Sequence, residues 1–225
     1  MKPNKHSHLP RLDHAWYQGY AIIHWIMTMD KRQKGWLTAG YHWQFRELLL
    51  HTLFRFGLVC PVYCLMPDHM HLLWMGTKTD SDQQMGMAFF RRHLNPILAP
   101  YRLQKQAYDH ILRKSEREKN AFQSLVFYIL ENPVRQGLVP CKENHEYSGS
   151  LVPGYPDINL VLDGNWMQFW QIVEKLMIKG DEPRPDPSTL NELHRTGGRS
   201  YGDSDKEGQS HAVTGAATEK KNTFS

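Results

Sequence analysis

The chain has 225 residues, 40% of them hydrophobic and 22% charged, and a formal net charge of +4. That length holds one sizeable domain with appendages, and no stretch approaches the roughly 18 consecutive apolar residues of a membrane span. Three cysteines, Cys60, Cys64 and Cys141, are too few and odd in number for a disulfide framework, and no apolar run follows the basic opening residues. A reducing cytoplasm without a secretory leader is therefore expected.

The first predicted element is a strand over 21–29, rich in β-branched and aromatic residues. A polar connection leads to a helix over 38–56, where Phe45, Leu48, Leu49, Leu53 and Phe54 recur at helical spacing until Gly57 stops it. Residues 58–66 and 69–75 read as a β-hairpin around Pro67-Asp68. A second helix is predicted over 83–98, and 101–113 is a further strand or an extended arm. The charged stretch 114–120 is a helix start or a loop. A third helix covers 121–131, ended by Asn132-Pro133 because a residue before proline is disfavoured in helical geometry.

This order predicts an α+β fold with a ferredoxin-like antiparallel sheet, helices packed on it and the histidines on a central strand. Residues 1–140 are expected to form the catalytic domain, and 141–180 an aromatic appendage packed on it, with one helix over 164–178. Residues 181–225 turn to Gly, Ser, Pro, Asp and Lys without periodicity. That composition buries too little surface to offset ordering entropy, so the tail is expected to be disordered.

His69-Met70-His71 is the most informative motif. Residues two apart on a strand lie side by side on one face, so two imidazoles held there can share a metal ion. The flanks are strongly apolar, and buried histidines there need a reason to be present. Cys60 and Cys64 raise a zinc alternative with this pair, but their spacing is not that of a ribbon or finger, and both thiols fit equally well as core residues.

Charge is unevenly spread. Residues 1–140 carry 18 Lys+Arg against 10 Asp+Glu, a net +8, while 141–225 carry 9 against 13, a net −4. A basic body points to a polyanionic partner, nucleic acid first. Downstream, Tyr128 and Asn132 stand four apart, neighbours on one face if the last helical turn holds.

The segment Tyr63-Cys-Leu-Met-Pro-Asp-His-Met-His71, with Tyr128-Ile-Leu-Glu-Asn-Pro-Val-Arg-Gln-Gly-Leu-Val139 and Tyr108-Asp-His-Ile-Leu-Arg113, resembles the REP-associated tyrosine transposases of the HUH single-tyrosine nuclease superfamily. The likeness runs from Tyr20 to Val139 and more weakly to Trp170. It implies a metal-dependent single-strand DNA endonuclease and strand transferase acting on palindromic hairpin DNA. His69 and His71 correspond to paired ligands of Mg²⁺ or Mn²⁺, Tyr128 to the nucleophile of a 5′-phosphotyrosine intermediate, and Asn132 to a third, polar ligand. Insertion-sequence relatives place Gln at that last position; Asn suits the REP-associated branch.

Arg91, Arg92, His110, Arg113, Lys114 and Arg135 are the candidates for DNA phosphate contacts. A prokaryotic, nucleoid-associated monomer is expected. Two other readings stand beside this one: a hairpin-binding protein of the same fold that no longer cleaves, and a metal-dependent RNA or phosphate-ester hydrolase that uses water as nucleophile.

Overall fold

Strand β1, Ile22–Thr28, opens a sheet whose three inner strands are supplied by apolar runs broken at turn residues. The structure is a computed structural model and describes residues 12–181 apart from residue 163. Helix α1, Ala39–Arg55, starts where Thr38 Oγ1 accepts the Tyr41 N–H at 3.2 Å, and ends before Gly57, whose φ of 63° needs no Cβ. Strands β2, Leu58–Met66, and β3, His69–Gly76, form the expected hairpin, with Met66 opposite His69 across Pro67-Asp68. Helix α2, Gln83–Leu98, is capped by the Asp82 carboxylate, which accepts the Met85 N–H at 2.8 Å. Strand β4, Tyr108–Ile111, completes the strand–helix–hairpin–helix–strand unit.

Every pairing is antiparallel and the sheet order is β4-β1-β3-β2, with a fifth strand beyond β2. This is the expected α+β, ferredoxin-like arrangement with β3 at its centre. Strand alternation sorts the core into two layers. On one face Trp25, Leu72 and Trp74 pack with Phe45 of α1 and Phe90 of α2. On the other, Leu73 and Met75 pack with Phe122 and Val126 of α3, Lys119–Leu130, and with Phe169 of α5, Asn165–Asp181.

Several expectations change. Of residues 101–113 only β4 is strand, with Leu103 making an isolated bridge to Met29. Asn132-Pro133 does not end helical structure: after Glu131 the chain restarts as a short helix, α4, Asn132–Arg135, with proline in the first turn where its missing N–H costs nothing. The aromatic segment after 140 supplies the unforeseen fifth strand, β5, Ser148–Leu151, which pairs with β2. Its helix begins at Asn165 and runs to Asp181, so the expected tail from 181 onward falls, past that residue, outside the described residues. Among the described residues no helix is long and apolar enough to cross a membrane.

The two strand cysteines cannot share an ion. The β2 register shifts in the stretch around Cys60-Pro61, a bulge that sends Cys60 into the α1/α2 core while Cys64 faces the α3/α5 core. Both thiols are buried, and burial pushes Cys64 up to about 11. They are core residues.

Candidate metal and nucleophile site

Strand β3 places His69 and His71 on the sheet face covered by α3 and α5, opposite Met70 and Leu72. Their Nε2 atoms approach to 3.0 Å, with the rings edge to face. Two lone pairs that close repel unless a hydrogen or a cation lies between them. An octahedral ion with nitrogen ligands at about 2.1 Å sees neighbouring ligands about 3 Å apart, so the pair fits two adjacent corners of such a shell. Among the described residues no third His, Cys, Asp or Glu joins them.

The pair belongs to a longer row. His71 Nδ1 lies 3.0 Å from Nε2 of His24, on the neighbouring strand β1, and the two rings stack. His24 stands in register with His110 of β4, whose Nε2 meets Glu116 Oε1 at 2.9 Å. At the other end His69 Nδ1 donates to Asp68 Oδ1 at 2.6 Å, and Asp68 Oδ2 meets Arg32 Nη1 at 3.2 Å. Four imidazoles thus cross three strands in a line, with a carboxylate at each end.

Burial sets the charge of the middle of this row. His71 and His24 are each 6% exposed. Burial, with further lowering from His24 and His69, pushes His71 down to about 3; burial and then His110 push His24 down to about 4. Both are neutral at pH 7, the form in which imidazole ligates a metal. Burial nudges Asp68 upward, but its hydrogen bond from His69 and the charges of His69 and Arg32 outweigh that and hold it below the usual carboxylate range.

Sequence reasoning missed His24 and Asp68 as neighbours of the pair, and Glu116 as the partner of His110 at the far end of the row. His24 carried a signal, a polar ring in the middle of the apolar run Ile22-Ile-His-Trp-Ile-Met27, but its partner depends on the register of strands almost fifty residues apart.

Tyr128 and Asn132 form a second group. Phe122, Val126, Ile129 and Leu130 anchor the tyrosine helix in the cluster that holds Cys64 and Met66, the register partners of His71 and His69. The tyrosine helix therefore lies over the histidine face. Tyr128 itself is 46% exposed, and the Arg135 guanidinium sits 4.4 Å from its ring centroid. Asn132 Nδ2 donates to the carbonyls of Tyr128 at 3.0 Å and Ile129 at 3.1 Å, so its amide nitrogen is taken up by its own helix. Among the described residues neither side chain hydrogen-bonds His69 or His71.

The cationic candidates split between the two layers. Arg91 donates to the carbonyls of Gln104 and Lys105, and with Arg92 it belongs to α2, across the sheet from the histidines. His110 is paired with Glu116, whereas Arg113 and Lys114 are exposed in the turn that packs on α3. Arg135 covers the Tyr128 ring and meets Glu131 at 3.3 Å.

No protein-family model matches the chain. A curated protein of Haemophilus influenzae, provisionally described as a REP-associated tyrosine transposase, is 25% identical over 142 residues, which span 56% of this chain and 78% of that protein. A solved structure of a REP-associated tyrosine transposase bound to a REP hairpin has a TM-score of 0.52 at 19% identity, covering 63% of this chain and 81% of the other. The sequence likeness and the likeness in fold point the same way.

Proposed function

We propose, from its resemblance to the REP-associated tyrosine transposases in sequence and fold, that this chain is a metal-dependent single-strand DNA endonuclease and strand transferase that acts on hairpin DNA. The observation that carries this reading is the pair of imidazoles with Nε2 atoms 3.0 Å apart, on the sheet face over which the Tyr128 helix lies.

His69 and His71 would hold Mg²⁺ or Mn²⁺, with Asn132 Oδ1 as a further oxygen donor. When bound, the ion neutralises charge on the phosphate oxygens of the scissile bond. Tyr128 Oη is the nucleophile: it bonds to phosphorus, the phosphorus–O3′ bond breaks, and the products are a 5′-phosphotyrosine and a free 3′-hydroxyl. The phosphoester energy stays in the intermediate, so another 3′-hydroxyl can reverse the step and join strands without ATP. The exposure of Tyr128 suits this role, because the scissile phosphate must reach the phenol from solvent. Glu131, held beside Arg135, is the nearest carboxylate along the helix to take the phenolic proton. Arg113, Lys114 and Arg135 would guide the DNA backbone along the same face.

One observation favours a second reading, a hairpin-binding protein that does not cleave: the Asn132 amide nitrogen is tied to its own helix by the carbonyls of Tyr128 and Ile129. Replacing Tyr128 by Phe separates the two. With labelled single-stranded hairpin DNA and Mn²⁺, the wild type should give a covalent adduct on a denaturing gel, and Tyr128→Phe should give none while still shifting the hairpin. A wild type that binds but never forms the adduct would establish the second reading instead.

A further inference from the structure

The histidine pair can hold a cation only if each ring turns a bare Nε2 toward the same point, and an imidazole has two tautomers. For His69 the choice is made by Asp68. An ionised carboxylate only accepts, so the hydrogen in the 2.6 Å contact sits on His69 Nδ1, and Nε2 of the neutral ring is left with a lone pair. For His71 the deciding contact is the 3.0 Å bond between its Nδ1 and Nε2 of His24. If that hydrogen is on His71 Nδ1, then Nε2 is bare. If it is on His24, then His71 Nε2 carries a hydrogen aimed at His69 and no cation fits. His24 is buried on the neighbouring strand and stacked on His71, so water does not substitute for it.

We propose that His24 and Asp68 are positioning residues, Asp68 holding the hydrogen of His69 on Nδ1 and His24 accepting that of His71 on Nδ1, so that both Nε2 lone pairs can face one divalent cation. This rests on the metal-binding reading above and extends it to two residues outside the His-x-His motif. An imidazole suits the His24 position because its Nε2 can accept the His71 Nδ1 hydrogen when a cation is bound, and can donate to that nitrogen when none is. A leucine there could do neither. The carboxylate at position 68 is further held by Arg32, which keeps an acceptor oxygen turned to His69. Partners in the second layer around ligating histidines change metal affinity by about ten- to a hundredfold when removed.

The test uses the full chain and Mn²⁺ as the probe, with free Mn²⁺ counted by electron paramagnetic resonance. His24→Leu and Asp68→Ala, which leave no side-chain acceptor at either place, should each weaken Mn²⁺ binding by about ten- to a hundredfold. His24→Gln, whose side-chain oxygen can accept the same hydrogen, should recover most of that loss. Urea midpoints measured on the same variants separate a folding defect from a ligand defect: the Leu and Gln variants should differ far more in Mn²⁺ affinity than in midpoint. Independently of any variant, ¹⁵N-resolved imidazole spectra of the wild type should place the hydrogen of His69 on Nδ1, and with saturating Mg²⁺ that of His71 on Nδ1 as well. Hydrogen on Nε2 of either ring in the loaded protein would overturn the inference, as would His24→Leu and Asp68→Ala binding Mn²⁺ as tightly as the wild type. A wild type that binds no Mn²⁺ would instead remove the metal reading itself, and the inference with it.

Discussion

Acidifying the metal-free protein from pH 7.5 to 5.5 should destabilise it through His24 and His71, with His42, which burial and then Arg46 push down to about 4, acting in the same direction. In the folded chain burial holds them near 4 and 3, whereas an unfolded histidine titrates near 6.5. Below about 6.5 the unfolded chain therefore takes up protons that the folded chain refuses. Stability is complete above that value and falls as the pH drops, until it reaches the folded values of about 4 and 3. One unit into that window each ring costs about 1.4 kcal/mol, so the two together remove about 2–3 kcal/mol at pH 5.5. With a urea dependence of about 1–3 kcal/mol per molar, the unfolding midpoint should fall by about 1 M. Tryptophan fluorescence is a suitable signal, since Trp25 and Trp74 are fully buried. The measurement is urea unfolding in EDTA at pH 7.5, 6.5 and 5.5, alone and with His24→Leu, which should flatten the dependence. The lowered Asp68 and Glu116 carboxylates act at more acid pH and do not mask the trend. A midpoint that is constant or rises between pH 7.5 and 5.5 would show that His24 and His71 are not the buried, neutral rings a ready metal site needs.

Two further outcomes follow from the packing and the charge layout. Gly76→Ala, at the end of β3, would drive a Cβ onto the carbonyl oxygen of Gly19; such overpacking against backbone should cost about 1–3 kcal/mol, read as a lower urea midpoint. Arg113→Gln with Lys114→Gln should weaken binding of a single-stranded hairpin and reduce its logarithmic salt slope by about 0.7 for each phosphate no longer neutralised, while Arg92→Gln, across the sheet, should change neither. Equal losses from Arg92→Gln would place the DNA on the α1/α2 face instead, away from the histidines.

The strand–helix–hairpin–helix frame could be read because its signals are local. Pro67-Asp68 marks the hairpin turn, Phe45, Leu48, Leu49 and Leu53 recur at helical spacing, and Gly57 supplies the stop. The sharing of one face by His69 and His71 needs only strand alternation, and their Nε2 atoms stand 3.0 Å apart. Features set by pairing between distant segments were out of reach. Ser148-Gly-Ser-Leu151 has little strand preference of its own and becomes β5 because β2 offers an edge. Cys60 and Cys64 are an even number apart, which on a regular strand means one face; the bulge around Pro61 puts them in opposite cores. Arg91 looked like a free cation in the sequence, but its guanidinium fastens the 104–105 loop to α2. His24 was visible only as an odd polar residue in a core strand, since the register that brings it to His71 is not written in either segment.

The most direct test of the central claim is peptide mapping after incubating the full chain with a single-stranded hairpin and Mn²⁺. One modified peptide is predicted, carrying a 5′-phosphorylated nucleotide on Tyr128, and it should disappear with EDTA and with His69→Ala or His71→Ala. Cleaved DNA without that peptide, or a nucleotide found on another side chain, would contradict the proposal.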